Sequence, residues 1–185
     1  ESKPSQAERV YGDSLTWLKE NKDKGKYFLY LQTIDPHVPY RHNGATTNQY
    51  YEGNYSGALG KSIPAETQIA MGKTKPSAAD IAWIKAMYYG EVSHHDTEMG
   101  KFFAELETMG VMDDTMIIVV ADHGASFVPG EHRRWPYDDN RDDLYRVPLF
   151  IKYPGQAGGE TVDLPAFGSD KKGDAHTNGE GHDAH

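Results

Sequence analysis

The sequence predicts an α/β domain, because apolar runs of strand length alternate with longer stretches in which apolar residues recur at helical spacing. Two runs carry the prediction: Tyr27 to Gln32 (Y-F-L-Y-L-Q) and Met116 to Ala121 (M-I-I-V-V-A), each placed after a helical pattern. A third candidate strand, Val147 to Ile151, comes after them.

The first helix is announced by Ser5 followed three residues later by Glu8, a capping-box pair, with Tyr11, Leu15 and Leu18 at helical steps beyond it. It is expected over about residues 5–22 and to stop before Gly25. Tyr27 to Gln32 shows no polar alternation, so this strand is expected to be buried on both faces. Residues 36–76 are rich in Tyr, Asn, Gly and Thr without clear periodicity and read as a long connection. Connections of that length are uncommon inside compact domains and often functional. An exposed surface excursion, with a short hairpin around Tyr50 to Leu59, is the alternative.

Ser77 and Asp80 form a second cap pair. Ile81, Ile84, Tyr88, Val92, His95, Met99, Phe102 and Leu106 then trace one stripe at three- and four-residue steps, closing at Gly110. The strand at 116–121 is entered through the Asp113-Asp114 turn, and Pro148 suits the third strand only at its start or at a sheet edge. Residues 168–185 carry almost no apolar side chain and are expected to be a disordered tail, which leaves 1–167 as the domain.

Composition narrows the function. The chain has 185 residues, enough for one sizeable core, and a formal net charge of −9, which argues against non-specific nucleic-acid binding. Without cysteine it has no disulfide, thiolate metal ligand or Cys nucleophile of its own. No apolar run approaches the roughly 18 residues of a membrane span, and no signal-peptide pattern is present. The first residue is Glu1 rather than Met, so any targeting segment is expected in preceding sequence.

The sharpest chemical signal is A-D-H-G at 121–124, where an apolar strand ends abruptly in a carboxylate, an imidazole and a glycine. Ligands in open α/β sheets gather beyond the carboxyl ends of strands, so Asp122 and His123 stand where a site is expected. Successive strand residues face opposite ways, so both meet one metal only if the chain leaves strand geometry, which Gly124 permits. Oxygen plus imidazole nitrogen suits zinc, manganese or iron better than a pure oxygen-ligand ion; calcium with one unusual ligand stays in the set. The ordinary alternative is an Asp that caps the next turn and an exposed His.

D-P-H-V-P-Y at 35–40 also follows a predicted strand, and Pro36 and Pro39 are expected to hold His37 in a stiff extended segment. Taken alone, a histidine such as His37 is more often a hydrogen-bonded loop residue than a catalytic one. G-E-H-R-R at 130–134 gathers His132, Arg133 and Arg134, which near a metal would form an oxyanion site; otherwise the arginines pair with the acidic residues at 138–143. His94, His95 and Asp96 resemble a metal cluster as letters, but neighbours on a helix diverge by roughly 100°, so the three cannot share one site. His95 lies on the apolar stripe and is expected to be a core histidine.

In this order, from the first helix to Y-R-V-P-L-F-I-K-Y-P-G at 145–155, the motifs resemble sulfatase-like enzymes of the alkaline phosphatase superfamily over about residues 5–156. The resemblance implies a partial catalytic domain, a mixed sheet flanked by helices with the N-terminal half missing. It implies metal ligands at Asp122 and His123, substrate contacts at His37 and His132, and substrate binding at Arg133 and Arg134. Many members carry Asn where His123 stands, and a Lys or His where this chain reads R-R-W-P-Y.

The implied cofactor is one divalent ion (calcium, manganese or zinc), with two further acidic ligands and a formylglycine nucleophile upstream. The implied partners are an anionic sulfate- or phosphate-ester substrate and the remainder of the catalytic domain. The implied location is periplasmic, secreted or extracytoplasmic and membrane-attached. The implied activity is sulfate-ester hydrolysis, the 185-residue piece being inactive by itself. A phosphoryl or phosphoglycerol transferase, a phosphodiesterase and a noncatalytic binding module are the alternatives.

Overall fold

Both expected capping boxes form. In the computed structural model, which describes residues 5–59, 63–70, 73–127 and 139–161, Ser5 caps α1 (Gln6–Asn21) and Ser77 caps α4 (Ala78–Thr108). Each serine hydroxyl accepts from the N3 amide, while the carboxylate of Glu8 or Asp80 accepts from the cap amide, satisfying two orphan donors per helix. The far end of α4 is closed by Gly110 at φ 69°, with Val111 N donating to Leu106 O at 3.1 Å and Gly110 N to Glu107 O at 2.9 Å. That pair of bonds is a Schellman stop, and a side chain is disfavoured in its left-handed residue.

α4 is buried along more than the single stripe its sequence suggests. Its C-terminal half packs Phe102 and Leu106 against Leu18 of α1, with Tyr11, Leu15, Tyr27, Leu29, Leu31 and Ile117 around them. Its N-terminal half packs Trp83, Ile84 and Met87 against Tyr40, Leu59 and Ile69, all from the stretch expected to be a connection. That stretch therefore supplies part of the core. It contains α2 (Gly44–Asn48) and α3 (Ile63–Ala70), and residues 50–59 form no hairpin. Thr47 of α2 is fully buried over Gly90, where a Cβ would lie 2.7 Å from the Thr47 hydroxyl oxygen and 2.9 Å from its Cα. Within the stripe, Val92 is exposed.

β1 (Ile117–Val120) pairs antiparallel with β2 (Leu149–Lys152), Ile118 opposite Ile151 and Val120 opposite Leu149. Pro148 sits immediately before β2, where its missing N–H costs no ladder bond. Between the strands lies α5 (Arg141–Tyr145). The described sheet is this antiparallel pair; the segment at 27–32 makes no ladder bond among the described residues.

The apolar strand runs are not buried on both faces. Tyr27, Leu29 and Leu31 turn toward the helices, whereas Phe28 is 87% and Tyr30 76% exposed, and Ile118 and Val120, with Ile151 and Leu149 opposite them, are exposed as well. Period-two geometry gives each strand two apolar faces, and the helices of this chain cover one. The expected tail, 168–185, lies outside the described residues.

His95 is half-buried at the edge of the packed stripe rather than a core histidine, because it bonds polar partners between α4 and α1. Its Nε2 is 3.1 Å from the Tyr11 hydroxyl and 3.0 Å from the Thr33 hydroxyl, tying α4 to α1 and to the segment before Pro36. Burial pushes its pKa below the usual histidine value, against the opposing charges of Asp35 and Asp96, and burial raises Tyr11 to about 12. With the folded pKa depressed, the unfolded chain binds the proton first as pH falls below about 6.5. Stability from this contact is therefore complete above that pH and is lost below it. Urea midpoints at pH 7.5 and 5.5 should differ in the parent chain, and the difference should shrink in His95→Gln. Met87→Ala should cost about 2–5 kcal/mol in the same unfolding experiment, because Met87 is fully buried.

Candidate active site

Asp122 and His123 lie just past the end of β1, which stops at Val120. Both are exposed and sit in a bend rather than in strand conformation, as shared ligation of one ion requires. The bend is closed by Gly124, whose N–H donates to Leu144 O at 2.8 Å. Its backbone does not use the left-handed region. Glycine is needed here because a Cβ would collide with the carbonyl oxygen of Asp143, so the constraint is close approach to α5 rather than the conformational freedom the sequence suggested. Ser126, fully buried, donates to the Asp143 carboxylate at 3.0 Å and seals the same contact.

The ring of His123 is oriented by the backbone. Its Nδ1 lies 2.8 Å from Gly124 O, and because a carbonyl only accepts, Nδ1 carries the proton and Nε2 the lone pair. The Asp122 carboxylate accepts from His123 N at 2.9 Å through Oδ1. A carboxylate beside an imidazole whose tautomer presents Nε2 is a chemically suitable donor pair for a divalent ion. It is half a set: among the described residues no third His, Asp or Glu joins the two.

His37 repeats the device. Its Nδ1 lies 2.6 Å from Val38 O, which assigns the proton to Nδ1. The segment does not run extended as expected; it bends at Pro36, Val38 and Pro39, and the Asp35–Pro36 and Val38–Pro39 bonds are cis. Its position is fixed from both sides. Asp35 accepts from Ala7 N in the first turn of α1 at 3.0 Å, where the helix dipole also favours a carboxylate. Arg41 N donates to the buried Glu91 carboxylate of α4 at 2.7 Å. Sequence reasoning singled out neither acid; Glu91, an acid among the apolar residues of α4, was the available signal.

The two loops are joined through aromatic rings. Tyr40, three residues after His37, and Phe127, four after His123, both pack on Tyr88 of α4, with centroids 5.4 Å away in each case, and lie 6.4 Å from each other. The D-P-H-V-P-Y and D-H-G loops thus share one support. His132, Arg133 and Arg134 lie outside the described residues.

Residues 3–170 match the family model for sulfatases. The chain belongs to the sulfatase family. It is similar to iduronate 2-sulfatase of Mus musculus, at 35% identity over 85 residues covering 46% of this chain and 14% of that protein. It is 26% identical over 159 residues to an arylsulfatase of Clostridium perfringens, covering 79% of this chain and 31% of the relative. The phosphonate monoester hydrolase of Agrobacterium radiobacter has the same fold, with a TM-score of 0.62 at 23% identity over 82% of this chain and 33% of that one. This sulfatase-family chain thus spans about a third or less of the proteins it matches.

The glycine argument is directly testable. Gly124→Ala should destabilise the chain by about 1–3 kcal/mol, as overpacking against backbone does. Gly100→Ala, on α4 with open space around it, should be neutral or stabilising by up to about 1 kcal/mol. Equal urea midpoints for the two variants would remove the close-approach argument.

Proposed function

We propose that this chain supplies one side of the active site of a metal-dependent sulfate-ester hydrolase whose remaining catalytic residues lie outside it. The observation that carries this is the matched pair of backbone-locked imidazoles, His37 and His123, on two loops pinned to the same tyrosine of α4. Asp122 and His123 would hold the ion through a carboxylate oxygen and Nε2. The imidazole favours zinc or manganese over calcium. Such an ion supplies charge that lowers a nucleophile's pKa and screens an anionic ester.

His37, held with Nδ1 protonated, directs Nε2 chemistry toward the ester: in the doubly protonated form that nitrogen donates to an oxygen gaining charge as the bond breaks. His132, Arg133 and Arg134 are assigned the charged oxygens of the substrate, which guanidinium groups bind in bidentate fashion. By the family's motif order, a formylglycine nucleophile and the further acidic ligands would come from the rest of the catalytic domain.

The exposed apolar side chains Ile118, Val120, Leu149 and Ile151, which share one face of the β1–β2 pair, together with Phe28 and Tyr30, are assigned to contact with that remainder, since so much exposed apolar surface marks an interface. No described helix is long and apolar enough to cross a membrane. An extracytoplasmic site of action, periplasmic, secreted or membrane-attached, rests on family resemblance.

In the polypeptide that joins this chain to the rest of its domain, Asp122→Ala and His123→Ala should each lower bound metal, measured by plasma mass spectrometry. Both should lower kcat/KM for 4-nitrophenyl sulfate by on the order of 10²–10³-fold. His37→Gln should lower kcat/KM with metal content unchanged. Full metal content in both ligand variants would sink the ligand assignment.

A further inference from the structure

Beyond the loops at the strand ends, α1 and α4 bring together a second set of metal-binding groups. Glu8, His94 and Glu98 each place one ligand atom within 4.8 Å of the others. We propose that these three side chains bind a divalent transition ion, zinc the best fit, that cross-links the two helices.

The placement follows from the helices. His94 and Glu98 are four residues apart and therefore project one above the other on one face of α4. His95, one position on, instead bonds Tyr11 and Thr33, so the adjacent histidines have different partners. Glu8 reaches the cluster from the first turn of α1, with its carboxylate already restrained by the Ser5 amide of the capping box.

One member of the cluster already holds a cation. The Glu98 side chain is only 10% exposed, and a carboxylate so placed needs a positive partner. It has one: Lys101 Nζ lies 2.6 Å from Glu98 Oε1, and Lys101 is itself 65% exposed at the end of a flexible stem. The ammonium thus occupies a cation position from the solvent side and can swing away from it.

Two carboxylate oxygens and one imidazole nitrogen are a donor set that zinc and manganese accept, with water completing the coordination. Zinc bonds of about 2.0–2.1 Å set tetrahedral ligands about 3.3 Å apart, so the side chains close in by small rotations. Glu8 and His94 are only partly buried, which leaves room for that movement. The consequence reaches the D-P-H loop, because the first turn of α1 also holds Asp35 through Ala7 N. The ion would stiffen the platform behind His37. This proposal does not depend on the sulfatase activity.

The test is zinc titration by calorimetry on the 185-residue chain, with His176→Asn, His182→Asn, His185→Asn and Asp122→Ala introduced to remove other ligands. One equivalent is expected to bind. Glu8→Gln, which keeps the capping box but loses the charge, and His94→Ala should each weaken binding at least about tenfold. Lys101→Met should tighten it, and zinc should raise the Tm of the parent but not of His94→Ala. Affinity within twofold of the parent in both Glu8→Gln and His94→Ala, or no saturable binding below millimolar zinc, would mean an adventitious ion only and overturn the proposal.

Discussion

Burial of α4 on two sides is the constraint on which everything else rests. The helix is 31 residues long, about 46 Å at 1.5 Å per residue, and has a separate partner on each half. Its C-terminal half meets α1 and the alternate residues of the 27–31 segment; its N-terminal half meets the aromatic residues of the stretch from Tyr40 to Ile69. Fully burying a side chain such as Leu18, Ile84 or Met87 stabilises by about 1.5–3 kcal/mol each, which outweighs the few tenths contributed by exposed ion pairs such as Lys19 with Glu105. The loops that carry Asp122, His123 and His37 therefore hang from one rigid element.

Polar groups then do what apolar packing cannot, which is to set orientation. Asp35 on the first turn of α1, Glu91 under Arg41 N, and the carbonyls of Val38 and Gly124 behind His37 and His123 each fix a direction at a cost of one hydrogen bond. Such bonds contribute about 1 kcal/mol net, or somewhat more with a charged partner. Their larger effect is to select a tautomer and a ring orientation before any ligand arrives, which is the structural meaning of preorganisation. The sheet shows the complementary point. Ile117 on one side packs against the helices, while the side carrying Ile118, Val120, Leu149 and Ile151 remains apolar and exposed, as fits a chain covering about a third of its bacterial relatives.

Much of this was legible in the letters. Ser5 with Glu8 and Ser77 with Asp80 located both long helices to within a residue or two, because a capping box is a local bond pattern that needs no distant partner. Pro148 marked the start of β2, and the place of His95 on the stripe pointed it inward, where it is half-buried. Residues 36–76 were misjudged for a physical reason: aromatic side chains that meet α4 from several directions leave no period along the chain. The burial of the strands was misjudged because an apolar run shows that both faces want covering and not whether this chain covers them.

The sequence by itself determined the ends of the two long helices, the strands β1 and β2 after them, the abrupt carboxylate and imidazole after an apolar strand, and the family resemblance that the match at residues 3–170 bears out. Each of these depends on contacts within a few residues or on motif order. Tertiary structure decided that Gly124 answers to Asp143, that Tyr40 and Phe127 meet on Tyr88, and that His94 stands with Glu8 and Glu98 while His95 does not. Those are distances between residues far apart in the chain, fixed only when the core has chosen which helix faces which.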